Sequence, residues 1–119
     1  MVLSEVKPTT YSNPADSDDG LLHYDDKGRV VRSNASVSRM LGYTDAELRG
    51  KSILELHPVE YMLESMRAFR EIGDTGFARM NLLFRRKDGG LLYADTVIMI
   101  KKLNGRTGIE ARLRELLPA

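Results

Sequence analysis

The sequence predicts a single α+β domain in which helices cover one face of antiparallel strands. Two patterns carry this prediction: strand-like runs of alternating polarity flank a turn near residues 86–90, and an amphipathic helical pattern precedes them at residues 58–72. The third observation is size, because 119 residues with 42% hydrophobic content are enough for one modest core, and the chain has no internal repeat.

The central hairpin is predicted around Asp88-Gly89. In the run before this turn, Met80, Leu82 and Phe84 alternate with other side chains, and a second alternating run covers residues 92–100. A period of two is typical of strands, and an Asp-Gly pair tolerates the positive φ that a tight antiparallel connection needs. We therefore expect the two runs to pair with each other.

The elements upstream are predicted from turn and capping residues. Residues 1–18 are polar and contain two prolines, so they are interpreted as a flexible leader before a domain at residues 19–117. A short hairpin turns at residues 25–28, and Asn34 then caps a helix that Gly42 ends. Thr44 and Glu47 form a capping box, and Ser52 caps one further turn.

A longer helix is predicted to begin at Pro58, which suits a first helical turn. Its packing face has residues at helical spacing: Val59, Met62, Leu63, Met66, Phe69 and Ile72. After the central hairpin and a turn at Asn104-Gly105, the tail alternates strictly at residues 109–114. We expect a strand there, although residues 110–117 also suit a helix by propensity.

Several short fragments in this order and spacing resemble a PAS domain from about residue 19 to the end. They are Asp19-Gly20-Leu21-Leu22, Asp26-Lys27-Gly28-Arg29-Val30-Val31, Asn34-Ala35, Leu41-Gly42-Tyr43, Glu47-Leu48-Arg49-Gly50, Leu56-His57-Pro58 and Arg86-Lys87-Asp88-Gly89. The resemblance implies a five-stranded antiparallel sheet with short helices and one longer helix over one face.

The resemblance also implies a function. PAS domains are mostly sensory or dimerising modules of signalling proteins such as two-component histidine kinases and nucleotide cyclases. It implies a cytoplasmic homodimer that relays a signal to an output domain of the same polypeptide outside this chain. The alternative is a sensor that binds a small apolar or aromatic ligand. The family often ends in Asp-Ile-Thr before an output helix, whereas residues 111–116 depart from that pattern.

Cofactor chemistry is not expected. The chain has no cysteine, so it cannot form a disulfide, a thiolate metal site, a flavin-cysteinyl adduct or a thioester chromophore. Haem-binding PAS domains place a histidine in the long helix, yet residues 59–72 contain none, which leaves His57 as the only plausible ligand, with His23 more remote. We interpret His57-Pro58 as the start of the helix and expect no haem, no non-covalent flavin and no metal.

Three further function classes find little support. No nucleophile motif, glycine-rich phosphate loop or HExxH spacing is present, so this domain is not expected to be an enzyme. The net charge is +1 and the basic residues are scattered apart from residues 85–87 and 101–102, which argues against nucleic acid. No apolar run approaches the roughly 20 residues of a membrane span, so no membrane insertion is expected.

Alternation in each strand predicts which side chains face the helices. The expected lining of the interior, and the candidate ligand pocket, comprises Met40, Tyr43, Met62, Met66, Phe69, Met80, Leu82, Phe84, Tyr93, Asp95, Val97 and Met99. This lining fits a small pocket or a plain core, with plain core preferred. Asp95 keeps the ligand alternative open, because a buried carboxylate needs a partner, either a ligand or a nearby tyrosine or backbone amide.

The same alternation predicts an apolar outer face. It comprises Leu83, Leu92, Ala94, Thr96, Ile98 and Ile100. Exposed apolar patches of this kind generally mark contact sites, so we expect a two-fold homodimer through the outer face of the sheet.

Overall fold

The computed structural model describes residues 19–116, without the side chains of Met62, Ser65, Ala68, Phe69 and Leu103. The predicted leader at residues 1–18 and the pocket candidates Met62 and Phe69 therefore lie outside the described residues and side chains. The elements in chain order are β1 (Gly20–Tyr24), β2 (Val30–Ser33), α1 (Ala35–Leu41), α2 (Asp45–Leu48), 3₁₀ turns at Ile53–Leu56 and Val59–Tyr61, α3 (Met62–Thr75), β3 (Phe77–Arg85), β4 (Leu91–Leu103) and β5 (Arg106–Glu115).

One antiparallel sheet contains all five strands in the order β2-β1-β5-β4-β3. The hairpins β3–β4 and β4–β5 form one side of the sheet. β5 also pairs with β1, which joins this side to the hairpin of β1 and β2. The five-stranded α+β architecture is thus confirmed. The tail forms strand β5, so the alternative of a helix there is wrong. The whole length of β5 pairs with residues 94–103 of β4.

The capping residues act as the sequence predicts. The Asn34 side chain accepts a hydrogen bond from the Val37 amide at 2.9 Å, and Gly42 ends α1 with a φ of +82°, where a side chain would be strained. Thr44 and Glu47 form the predicted capping box of α2. The long helix differs from prediction, because a 3₁₀ turn follows Pro58 and regular α-helix begins only at Met62.

The packing face predicted for the long helix and its first turn is wrong for three of its four described side chains. Ile72 is buried, whereas Val59 and Leu63 are 67% and 73% exposed and Met66 is half exposed. The core instead lies between the sheet and the shorter elements, which contribute Val37, Leu41, Leu48, Ile53 and Leu56. Among the described side chains, these shorter elements contribute more residues to the core than the long helix does.

The register of the central hairpin corrects the faces of β4. Leu82 pairs with Ala94 and Phe84 pairs with Leu92, and directly opposite residues share a face of the sheet. The prediction is right for β3 but wrong by one residue for β4. The inner face of β4 has Leu92, Ala94, Thr96, Ile98 and Ile100, and its outer face has Tyr93, Asp95, Val97 and Met99.

The predicted dimer face is consequently wrong for five of its six members. Leu92, Ala94, Thr96 and Ile98 are buried under the helices, and Ile100 lies on the same side at the end of the sheet. Leu83 alone lies on the outer face, opposite Tyr93. Hydrophobicity could not distinguish the faces, because β4 has apolar residues on both and a shift of one residue exchanges them.

Candidate functional site

The structure does not bring the predicted pocket residues together. Leu82 and Phe84 belong to the buried core, and Met40, Tyr43 and Met80 pack against it while half-buried. Tyr93, Asp95, Val97 and Met99 lie on the other face of the sheet. The space between sheet and helices holds core side chains instead, among them Leu22, Ala94, Ile98 and Leu113.

A cleft of about 370 Å³ opens at one end of the helical layer. Its apolar wall is formed by Ile53, Leu54, Met66 and Ile109, and its polar rim by Ser52 and residues 26–28. Only Met66 was a predicted pocket residue. The cleft depends on long-range backbone bonds, since the Ile53 amide donates to the Gly28 carbonyl at 2.8 Å and Arg29 forms a bridge with Ser52. No sequence pattern indicates such a contact.

The outer face of the sheet carries an apolar patch on the edge strand β3 and its neighbour β4. We call this the outer patch and define it as Phe77, Leu83, Leu91, Tyr93 and Met99. Phe77 and Tyr93 are each 48% exposed and Leu91 is 56% exposed. A groove of about 680 Å³ borders the patch, with Pro58, Tyr61 and Leu83 among its lining residues. Phe77 and Met99 form one end of the patch and Leu83, Leu91 and Tyr93 the other, with Arg79 and Asn81 between them. Exposed apolar surface of this kind is characteristic of contact sites.

Charged pairs cross the same outer face. The Arg79 guanidinium donates from Nε and Nη2 to the two oxygens of Asp95, at 3.1 and 2.7 Å. The prediction that Asp95 projects into the interior is wrong, and its partner is this arginine on the neighbouring strand. A bidentate pair of this geometry fixes both side chains in place.

Glu110 is a buried carboxylate at the centre of the outer face. Its oxygens lie 3.2 Å from His23 Nε2, 3.4 Å from Lys101 Nζ and 3.3 Å from Arg112 Nε. Burial alone raises the pKa of Glu110, but the hydrogen bond with His23 and the charges of Lys101 and Arg112 outweigh it, so the net pKa lies below its usual value. The carboxylate therefore stays ionised and holds three strands together.

His57 links the start of the long helix to the edge of the sheet. Its Nδ1 lies 2.6 Å from the Leu83 carbonyl oxygen, and its ring packs on Phe84 with centroids 4.5 Å apart. Nε2 is buried and has no hydrogen-bond partner. Burial lowers the pKa of His57, and the bond to Leu83 opposes this only in part, so the ring is neutral with the proton on Nδ1.

We expect the depressed pKa of His57 to make stability depend on pH. The unfolded state binds a proton near pH 6.5 and the folded state does so only at lower pH. The free energy of unfolding is therefore highest above pH 6.5 and falls as the pH drops from 6.5 to the folded pKa, by at most about 1.4 kcal/mol per pH unit. Urea unfolding at pH 5.0 to 8.0 measures this slope.

His57→Asn is the test variant, because an asparagine amide can still donate to Leu83 but cannot titrate. The other histidine supplies the control, His23→Asn. Loss of slope in the first variant and its retention in the second are expected. A slope that persists in His57→Asn would contradict the assignment.

Two negative findings limit the chemistry of the described part of the chain. No three His, Asp or Glu side chains there come together as metal ligands. No helix within residues 19–116 is long and apolar enough to cross a membrane.

Comparison with known proteins identifies the fold and the family. A family model described as PAS domain matches residues 18–112. A search of curated proteins finds no match.

Among solved structures, a PAS domain from Colwellia psychrerythraea aligns with a TM-score of 0.77 at 15% identity, over 95% of this chain and 94% of that one. The PAS domain of a two-component sensor histidine kinase aligns at 0.73 and 15% identity, over 95% and 97%. The PAS domain of a LuxR-family transcriptional regulator from Burkholderia thailandensis, solved in complex with ethanol, aligns at 0.69 and 16% identity, over 88% and 95%.

At these identities the structural neighbours establish the fold, and the family model covers most of the chain. Both are consistent with the five-stranded α+β fold described above. The chain therefore belongs to the PAS domain family, whose members are sensory modules.

Proposed function

We propose that this PAS domain is a regulatory module that dimerises through the outer patch and relays a signal to an output domain of the same polypeptide in the cytoplasm. The observation that carries the proposal is the exposed apolar surface beside β3, where Phe77, Leu91 and Tyr93 are each about half accessible. Such a surface is stabilised when it is removed from water. We assign this domain no catalytic step.

The arrangement of the patch favours a two-fold contact between identical copies. It lies on one face of two neighbouring strands, so a two-fold axis through the patch places each copy against its own equivalent and closes the assembly at two. The Arg79–Asp95 pair bridges β3 and β4 between the two ends of the patch and satisfies both charges within one copy. Burying the patch therefore leaves neither charge of this pair without a partner.

Replacing Tyr93 with glutamate is expected to dissociate the dimer. Tyr93 is a half-exposed aromatic residue on an outer strand face, and aromatic anchors contribute disproportionately to interfaces. A charge there must be desolvated on association, so we expect the dissociation constant to rise at least about tenfold. Sedimentation velocity at a series of concentrations measures the change.

Leu63→Glu is the matched control, because Leu63 is an exposed apolar residue on α3. It should sediment as wild type does. A wild type that remains monomeric at about 100 μM, or a control that dissociates as fully as Tyr93→Glu, would refute dimerisation through the patch.

The 370 Å³ cleft beside α3 supports a second candidate function, the binding of a small apolar molecule. Its volume lies at the lower end of the range of small-molecule sites, about 300–1,000 Å³, and its wall is mostly apolar. The related PAS domain from Burkholderia thailandensis was solved with ethanol. Native mass spectrometry of the purified domain would favour this function if it reveals a bound small molecule that Met66→Trp displaces. Neither function assigns haem or flavin to this domain.

A further inference from the structure

A second surface cleft, of about 510 Å³, lies at the edge of the sheet formed by β2. It is distant in the strand order from the outer patch, which borders the opposite edge strand, β3. We call it the basic cleft. Its lining residues come from β1, β2, the end of α2, the end of β4 and the β4–β5 turn: His23, Val31, Arg32, Arg49, Lys102 and Asn104.

All charged side chains that line the basic cleft are basic. Three of its lining residues carry a cationic group, His23 adds an imidazole, and no carboxylate lines it. The nearby acids already have partners: Glu110 binds His23, Lys101 and Arg112. Within residues 19–116, neither Arg32 nor Lys102 has a carboxylate within ion-pair distance. Two unneutralised cations thus border one concave surface, which concentrates positive potential there.

Two of the lining side chains are also fixed before any ligand binds. Arg49 donates from Nη1 to the Val31 carbonyl at 3.3 Å and from Nη2 to Asp45 at 2.7 Å. His23 is held by Glu110, 3.2 Å from its Nε2. Side chains that are already ordered lose little entropy on binding, so their hydrogen bonds contribute more fully to affinity.

We propose that the basic cleft binds a small ligand that carries two or more phosphate groups. Arginine guanidinium groups suit phosphate oxygens, which accept their paired N–H donors, and the ammonium of Lys102 supplies a third charge. A volume of about 510 Å³ falls within the range of small-molecule sites, about 300–1,000 Å³, and exceeds what one phosphate group needs. The proposal is independent of dimerisation, since the two surfaces share no residue.

Isothermal titration calorimetry with inorganic pyrophosphate, with orthophosphate as the single-phosphate comparison, tests the proposal. The test variant is Arg32→Gln/Lys102→Gln, because within residues 19–116 neither side chain forms an ion pair or a hydrogen bond that its loss would break. The matched control is Arg67→Gln/Arg70→Gln on α3, which removes the same two charges from exposed positions. Circular dichroism confirms that each variant is folded.

We expect pyrophosphate to bind more tightly than orthophosphate and its affinity to fall with salt. The test variant should weaken pyrophosphate binding at least about tenfold, which is the usual loss for a charge-assisted hydrogen bond, and the control less than about twofold. The monomeric Tyr93→Glu variant should still bind. Absence of pyrophosphate binding at millimolar concentration, or equal weakening in the control variant, would overturn the proposal.

Discussion

Replacing Ile98 with glutamate is expected to destabilise the domain severely. Ile98 lies on the inner face of β4, is 2% exposed, and belongs to the core with Ala78 and Ala111 on the neighbouring strands. A carboxylate at this position would lie among the apolar side chains of the core and must be buried uncompensated or protonated. We expect a loss above about 4 kcal/mol, against a total stability of about 5–15 kcal/mol for a typical domain.

Circular dichroism and urea unfolding measure this effect, and Ile100→Glu is the control. Ile100 is the same residue type on the same face of the same strand but is 44% exposed at the end of the sheet, so its glutamate remains in water. We expect the control to lose less than about 1.5 kcal/mol. A folded Ile98→Glu domain with near wild-type stability would show that the register of β4 is wrong.

Removing the Phe84 ring is expected to destabilise the domain by about 3–5 kcal/mol, the usual cost of deleting a buried phenylalanine side chain. Phe84 is 1% exposed, lies opposite Leu92 and packs against the His57 ring, so Phe84→Ala leaves a cavity that two neighbouring elements border. The midpoint of urea unfolding should fall with little change in its slope.

Phe77→Ala is the matched control in the same strand, because the Phe77 side chain is 48% exposed. It should cost less than about 1 kcal/mol when both variants are measured at concentrations where monomers predominate. Equal losses in the two variants would mean that β3 does not present Phe84 to the core.

Local patterns of the sequence predicted most of the fold. Capping residues such as Asn34 and Thr44 act over three or four positions, so the short helices could be located without any tertiary information. Strand β5 was found by strict alternation at residues 109–114. The five-stranded sheet was predicted from resemblance to the PAS family, whereas the pairing of β1 with β5 was not predicted, since alternation does not encode it.

Local patterns could not show which side chains of β4 face the core. Leu92 and Tyr93 are adjacent and both apolar, and Ile98 and Met99 repeat the ambiguity, so the choice depends on pairing with β3. The candidate pocket and the predicted dimer face were both based on this assignment, so both have the wrong residues of β4. The basic cleft is also a product of register, because His23 and Arg32 are nine positions apart in sequence but directly paired on β1 and β2.

The contact between His57 and Leu83 has a consequence for aggregation. A free edge strand has a row of unpaired backbone donors and acceptors that can pair with a strand of another molecule. Molecules that pair in this way through two different edges form a fibre of unlimited length. His57 occupies the Leu83 carbonyl on the β3 edge, so an incoming strand would lose a ladder hydrogen bond there and would have to displace a buried ring. Growth of a fibre through this edge is thereby disfavoured.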